Sequence, residues 1–234
     1  MSKRIISIVV TVLAILILFF GAWIYIGMNG LFWKVSQTED MSQNYLKEKY
    51  PELKYEVGEA HYNSKFGYYY CDVTTKGDMP ISFDVIVRGN NTIEDNYYSN
   101  KVNTEAKNVV TNLLLNNTPY IRDISVLWDA GPDAIKESYE KSSSFKPGDG
   151  CPLKINIIWN GENMPLDTFV DKTLIVRDIL KNNKISVSGL SIMDSTNGYV
   201  IDLYGRDKEG KTEGSYNFTK EEIIKNNIAY KMKK

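Results

Sequence analysis

His61 is the only histidine in a chain of 234 residues, and it sits in the strand-like run just ahead of "YNSKFG". A hydrolytic relay needs such a ring beside a nucleophile and oriented by an acid. No G-x-S-x-G elbow or Cys-His signature is present, so His61 reads as a polar strand residue and no catalytic residue is assigned. One His with two distant Cys cannot build a zinc cage of four N or S ligands, so neither metal nor cofactor is expected. Glu94-Asp95 in "NNTIEDNYY" and Asp207-x-Glu209 in "RDKEGK" offer oxygen ligands to calcium. Neither follows the EF-hand spacing, and a solvated turn is the plainer reading. Two acids brought together by folding can hydrolyse a glycosidic bond as a carboxylate pair, but one sequence does not show which acids meet.

The chain carries sixteen tyrosines, clustered as Tyr62, Tyr68, Tyr69, Tyr70, Tyr97 and Tyr98. A tyrosine buries its ring while keeping its hydroxyl wet, so such rows suit sheet packing and recognition surfaces alike. Strand alternation sets Tyr68 and Tyr70 opposite Tyr69, and one set must leave the core unless another layer covers it. Tyr68, Tyr70, Tyr97 and Tyr98 are therefore the candidate ligand or partner surface, with ordinary packing as the alternative. Cys71 and Cys151 admit two readings. Paired in an oxidising exterior they close a loop of about 80 residues, worth roughly 4 kcal/mol; unpaired, each is a small buried hydrophobe.

These residues need a compartment. From Ile5 to Met28 no residue is charged, and about 24 residues at about 1.5 Å each reach roughly 36 Å, enough to cross a bilayer core with some tilt. A cleaved signal has a shorter apolar region and a small-x-small site. Here the far end is bulky, with Trp23, Tyr25, Phe32 and Trp33 placed as an interfacial belt. Length and flanks favour a retained anchor over a cleaved signal. Lys3 and Arg4 precede the span, whereas Glu39 and Asp40 follow Lys34 beyond it, which predicts a single-pass protein with its N-terminus in the cytoplasm. The organisation read from this is a cytoplasmic tail 1–4, transmembrane anchor 5–28, juxtamembrane linker 29–36 and an exterior portion from 37 onward.

The exterior portion is long enough for one large or two small cores. Without Lys3 and Arg4 the chain holds 26 basic against 29 acidic residues, which gives nucleic acid no basic surface. Aromatic content of 12% argues for a packed core over disorder. The abundance of Lys, Asn and Ile hints at an AT-rich bacterial genome.

Ser36-x-x-Glu39 fits a capping box and opens a helix over about 37–49, closed by Pro51. Strands follow over Leu53 to Tyr62, Tyr68 to Thr75 and Ile81 to Arg88. In them Tyr69, Cys71 and Val73, then Ile81, Phe83, Val85 and Val87, take the inward phase. Val102, Ala106, Val109, Val110, Leu113 and Leu114 form the stripe of a second helix. A strand over Ile124 to Trp128 and a weak helical stretch after Pro132 lead to the loop-like "SSSFKPGDGCP". "LKINIIWNG" alternates as a strand ending in an Asn-Gly turn, and a helix runs from about Leu166 to Lys181. In the next strand Ile185 and Val187 share one phase while Leu190 and Ile192 take the other, so Gly189 marks a bulge. "YVIDLYG" is a further strand, "DKEGK" a turn toward "SYNF", and Thr219-x-x-Glu222 caps a last short helix.

Residues 46–75 lie over 177–206 without a gap: helix end on helix end, strand on strand, and Ser64-x-x-Gly67-Tyr68 on Ser195-x-x-Gly198-Tyr199. A tandem duplication leaves such an echo, and so does chance, because helix-then-meander is common. The expected fold class is α+β: an N-terminal transmembrane helix followed by two small helix-plus-antiparallel-sheet units, at 37–122 and 153–234, joined by a connecting segment 123–152.

The stretches "GLFWKV", "NYLKEKYPELKYEVGEAHYNSKFGYYYCDVTTKG" and "FDVIVRGNNTIEDNYYS" resemble the membrane-anchored YfjL-like proteins of Gram-positive bacteria, best over about residues 30–100 and more loosely after residue 165. The resemblance implies a two-part α+β ectodomain on the cell surface. It transfers no functional residue, because the family carries no established activity. The function expected is a membrane-anchored extracytoplasmic interaction or sensing module, with a protein partner at the cell surface and the membrane engaged through 5–28. The alternative is an anchored hydrolase working through a carboxylate pair.

Overall fold

The computed structural model describes residues 3–129, 144–159, 164–204, 218–225 and 229–231. The helical stretch expected after Pro132, the Asn160-Gly161 turn, the "DKEGK" turn and the Asp207-x-Glu209 pair lie outside the described residues. The chain divides into two compact units, Met1–Tyr97 and Tyr98–Lys234.

The first unit begins with α1 (Lys3–Asn29) and α2 (Phe32–Lys49). Gly30 separates them at φ +72°, and its N–H closes the last turn of α1 on the Ile26 carbonyl at 2.8 Å. This left-handed residue is one that glycine takes without strain and other residues resist. The expected linker 29–36 is therefore two residues long, and α2 starts at Phe32 instead of near 37. Ser36 lies inside the helix, so the expected capping box is not formed; Glu39 Oε1 instead accepts the Ala60 N–H at 3.1 Å. Thr38, Ser42 and Leu46 are the buried stripe of α2, and its end comes at Tyr50 where Pro51 stops it.

Four strands follow: β1 (Tyr55–Asn63), β2 (Tyr68–Thr75), β3 (Ser82–Val87) and β4 (Ile93–Asp95). They form an antiparallel sheet in chain order, with a bulge in β1 between Val57 and Ala60. Tyr69, Cys71 and Val73 of β2 and Phe83, Val85 and Val87 of β3 are buried as the alternation predicts, together with Leu46 of α2. The short β4 had no sequence signal, since three residues are too few to establish a period.

In the second unit α3 (Tyr97–Leu115, with Tyr97 left to the first unit) places Val102, Ala106, Val110 and Leu114 in one core with β5 (Ile121–Trp128) and β6 (Leu153–Trp159). This corrects the expected boundary near 122: the apolar stripe of α3 completes the second core, and β5 is a strand of the second sheet, not a connecting segment. After β6 come α4 (Leu166–Asn182), β7 (Val187–Asp194), β8 (Tyr199–Tyr204), α5 (Lys220–Lys225) and β9 (Ala229–Lys231). The sheet runs in the order β5 to β9.

That sheet is mixed. β6 and β7 are parallel neighbours, and parallel strands need a crossover, here supplied by α4. The expectation of a second purely antiparallel sheet is corrected accordingly. Phe169, Val176 and Leu180 of α4 are fully buried, and Trp159 meets Phe169 edge-on at 5.3 Å. The register of β7 on β6 slips between Val187 and Gly189, so Val187 and Leu190 both reach the core, as the phase change at Gly189 predicts. Thr219 and Glu222 form the predicted reciprocal cap: the Thr219 N–H donates to Glu222 Oε2 at 2.8 Å and the Glu222 N–H to Thr219 Oγ1 at 3.2 Å.

The internal echo holds at the hairpins. Asn63 pairs Tyr68 and Asp194 pairs Tyr199. Gly67 and Gly198 close the turns at φ +69° and +72°. Asn63 Oδ1 accepts the N–H groups of Lys65 and Phe66, as Asp194 Oδ1 accepts those of Thr196 and Asn197. The surroundings differ: β1 is an edge strand, whereas β7 lies between β6 and β8. The likeness is one of a helix end and its hairpin, set in two differently built sheets.

Candidate functional site: the outer face of the first sheet

Alternation along β1, β2 and β3 sends one set of side chains away from the core. Cross-strand partners on that outer face are His61 with Tyr70, Asn63 with Tyr68, Tyr70 with Ile86 and Asp72 with Asp84. Tyr68 and Tyr70 are half-buried and meet edge-on at 6.2 Å between ring centroids. His61 tilts against Tyr70 at 5.6 Å, and its Nε2 lies 3.8 Å from Asp72 Oδ2. Arg88 stands 5.6 Å over the Tyr68 ring and pairs with Glu94. Such a face combines stacking surfaces with both signs of charge, the chemistry by which proteins recognise a polar partner of mixed character.

The candidate tyrosines do not form one platform. Tyr97 packs edge-on against Tyr50 and Phe83, each at 5.0 Å. Phe83 is buried, so Tyr97 belongs to the inner face, opposite Tyr68 and Tyr70. Tyr98 is half-buried and opens the second unit. The split follows from pleating, which the run of aromatic letters conceals. Replacing Tyr68 and Tyr70 together by Ser is expected to lower the melting temperature by only a few degrees, about 1 kcal/mol, since neither ring sits in the core. A drop comparable to loss of a core aromatic in thermal denaturation would show these rings to be packing residues and remove the surface reading.

Two carboxylates of this face, Asp72 and Asp84, are directly opposed across β2 and β3. Burial raises the Asp84 carboxyl above its ordinary range, Asp72 adds to the rise, and a hydrogen bond from Asn96 Nδ2 at 3.3 Å opposes it. A carboxyl held above its ordinary range is one element of acid–base hydrolysis. The sequence offered no signal for this pair, because the two acids lie twelve residues apart and only register brings them together.

Glu94 and Asp95 separate. Glu94 joins the outer face through Arg88, while the Asp95 side chain is 2% exposed. Tyr45 Oη donates to Asp95 Oδ2 at 2.6 Å and Lys49 Nζ to the same oxygen at 2.8 Å. Tyr50 Oη and the Tyr97 N–H donate to Oδ1 at 3.0 and 2.9 Å. Both the calcium reading and the solvated-turn reading of this pair are thereby corrected: the Asp95 oxygens are occupied by protein donors. Desolvation alone would raise the Asp95 carboxyl, but the hydrogen bonds from Lys49 and Tyr45 outweigh it and hold it below the ordinary range. Burial pushes the Tyr45 hydroxyl up to about 12. Among the described residues no group of three or more His, Cys, Asp or Glu is placed to hold a metal ion.

Cys71 and Cys151 are buried and form no disulfide. The possible bridge is corrected by the fold: Cys71 points into the first core from β2, and Cys151 belongs to the second core ahead of β6. Burial raises the Cys71 thiol, against a lowering contact from the Ser42 hydroxyl. Each thiol is therefore a small hydrophobe, the other of the two readings.

Residues 3–98 match the family model described as YfjL-like, N-terminal domain. The matched stretch ends within a residue of the division between the two units, so the resemblance seen in the sequence covers the first unit. No curated protein and no solved structure matches the chain.

Proposed function

We propose that the chain is a membrane-anchored module for extracytoplasmic interaction or sensing, held by α1 and presenting the outer face of its first sheet to a protein partner. The observation that carries this reading is α1 itself. Its side chains from Ile8 to Met28 are exposed all round, with Leu18 and Phe19 at 72% and 73%. A helix that is apolar on every side with no protein layer over it suits a hydrocarbon environment. It is the one helix among the described residues long and apolar enough to cross a membrane. Lys3 and Arg4 ahead of it favour a cytoplasmic N-terminus with both units outside.

The test is the fate of the two ends in bacterial cells carrying a C-terminal tag. The expected result is a full-length species that resists alkaline extraction from membranes, with a tag that protease removes from intact spheroplasts. A shortened species released to the medium would make α1 a cleaved signal, and a tag protected until lysis would reverse the orientation.

A second reading, an anchored hydrolase, is favoured by one observation, the opposed Asp72 and Asp84 with the raised Asp84 carboxyl. It requires saccharide or ester turnover that Asp84→Asn abolishes.

A further inference from the structure

We infer that the tip of the β1–β2 hairpin is a second membrane contact, with Phe66 entering the lipid interface and Lys65 facing the lipid phosphates. This rests on the anchor reading of α1. α2 rises about 27 Å away from the end of α1, and β1 returns over nearly the same length, since eighteen helical residues and nine extended ones span similar distances. The chain is thus brought back to the level at which the apolar helix ends.

The return is fixed by direct contact. The Leu31 N–H donates to Tyr69 Oη at 2.7 Å, and a Cβ built on Gly30 would stand 2.7 Å from both Tyr62 Cγ and Tyr69 Oη. Tyr62 and Tyr69 are cross-strand partners one step before the turn. The turn residues Ser64 to Gly67 therefore project past Gly30, alongside the last turns of α1.

What the tip displays suits a bilayer interface. Phe66 is 62% exposed, an unusual position for a phenylalanine in a turn unless something apolar receives it. The turn is stiff, with Asn63 accepting three backbone N–H groups from Lys65, Phe66 and Gly67. Phe66 and Tyr68 stack at 6.0 Å and 7°. Lys65 lies 5.1 Å over the Phe66 ring, and Arg88 lies over Tyr68. Aromatic rings with adjoining cations are the side chains that settle at the headgroup level. Around the α1–α2 junction the same level carries Tyr25 of α1 and Phe32 and Trp33 of α2, all exposed. Helix and hairpin tip together make two attachment points, which set the tilt of the first unit on the membrane.

The test uses the full chain in vesicles of phosphatidylcholine and phosphatidylglycerol, with an environment-sensitive fluorophore on Phe66→Cys. Asp78→Cys, in the exposed turn at the other end of β2, is the comparison, and the unsubstituted protein gives the background from buried Cys71 and Cys151. The expected result is that lipids bearing a nitroxide near the headgroup quench the label at 66 several-fold more than the label at 78, with co-flotation of both variants. Co-flotation with equal, weak quenching at both positions would overturn the hairpin contact and leave the anchor standing. Failure of both variants to float with the vesicles would overturn the anchor reading and this inference with it.

Discussion

Asp95→Ala is expected to destabilise the first unit by about 3–5 kcal/mol, because removing a buried carboxylate leaves the part-buried Tyr45 and Tyr50 hydroxyls and the Tyr97 N–H without their acceptor. Four donors converge on this carboxylate: Lys49, Tyr45, Tyr50 and the Tyr97 backbone. They come from α2, the residue that ends it, and the start of α3, so the carboxylate ties the helix to the end of the sheet. For a unit of this size the loss corresponds to a fall of roughly 15 °C or more in melting temperature. Tyr45→Phe, which removes one hydroxyl and leaves the lysine pair, is expected to lose only about 1 kcal/mol. Thermal denaturation followed by circular dichroism compares the three proteins. An Asp95→Ala protein within 1 kcal/mol of the original would mean that the network contributes nothing net.

The pH dependence of that difference has a definite sign. The Asp95 carboxyl is lowered in the fold, so its contribution is present above the unfolded value of about 4 and fades as pH falls through the folded one. Lys49 is raised through Asp95 and Tyr45 against the opposing effect of burial, and Tyr45 is raised to about 12. Raised groups contribute fully below their unfolded values and lose that contribution as pH rises through the folded ones. The advantage of the original protein over Asp95→Ala is therefore greatest between about pH 5 and 10 and narrows on both sides.

Gly30→Val is the other substitution with a large expected effect, about 2–5 kcal/mol. At φ +72° an L-residue is strained by about 1–2 kcal/mol, more when β-branched. The new Cβ would also meet the rings of Tyr62 and Tyr69 well inside contact distance, and overpacking of this kind costs about 1–3 kcal/mol. Gly27→Ala is the control, since nothing lies within 4 Å of its Cβ position and alanine suits a helix better than glycine. Urea unfolding in detergent micelles reads both. Equal stability of Gly30→Val and the original would show that α1 and the hairpin are not locked at this point.

Several elements were legible because their signal is local. β2 and β3 obey a two-residue period with Cys71, Val73, Phe83 and Val85 inside. The α3 stripe at Val102, Ala106, Val110 and Leu114 is a 3.6-residue period. Thr219 and Glu222 cap α5 from within one turn. The uncharged run of α1 was legible for the same reason, since length and composition alone define a helix that no soluble core covers.

What depended on long-range pairing was not. An amphipathic stripe says that α3 buries a face but not which sheet it completes, and so the boundary moved from near 122 to Tyr97. A hydrophobic strand reads alike in parallel and antiparallel company, which hid the β6–β7 pairing behind the α4 crossover. Tyr68 and Tyr97 look equivalent as letters, yet the pleat sends one outward and the path from β4 into α3 turns the other inward. Asp95 meets Tyr45 and Lys49 across about fifty residues of chain. Only the closing of the sheet under α2 makes a buried carboxylate of what a local reading takes for a solvated turn, because burial belongs to the packed molecule and not to the residue.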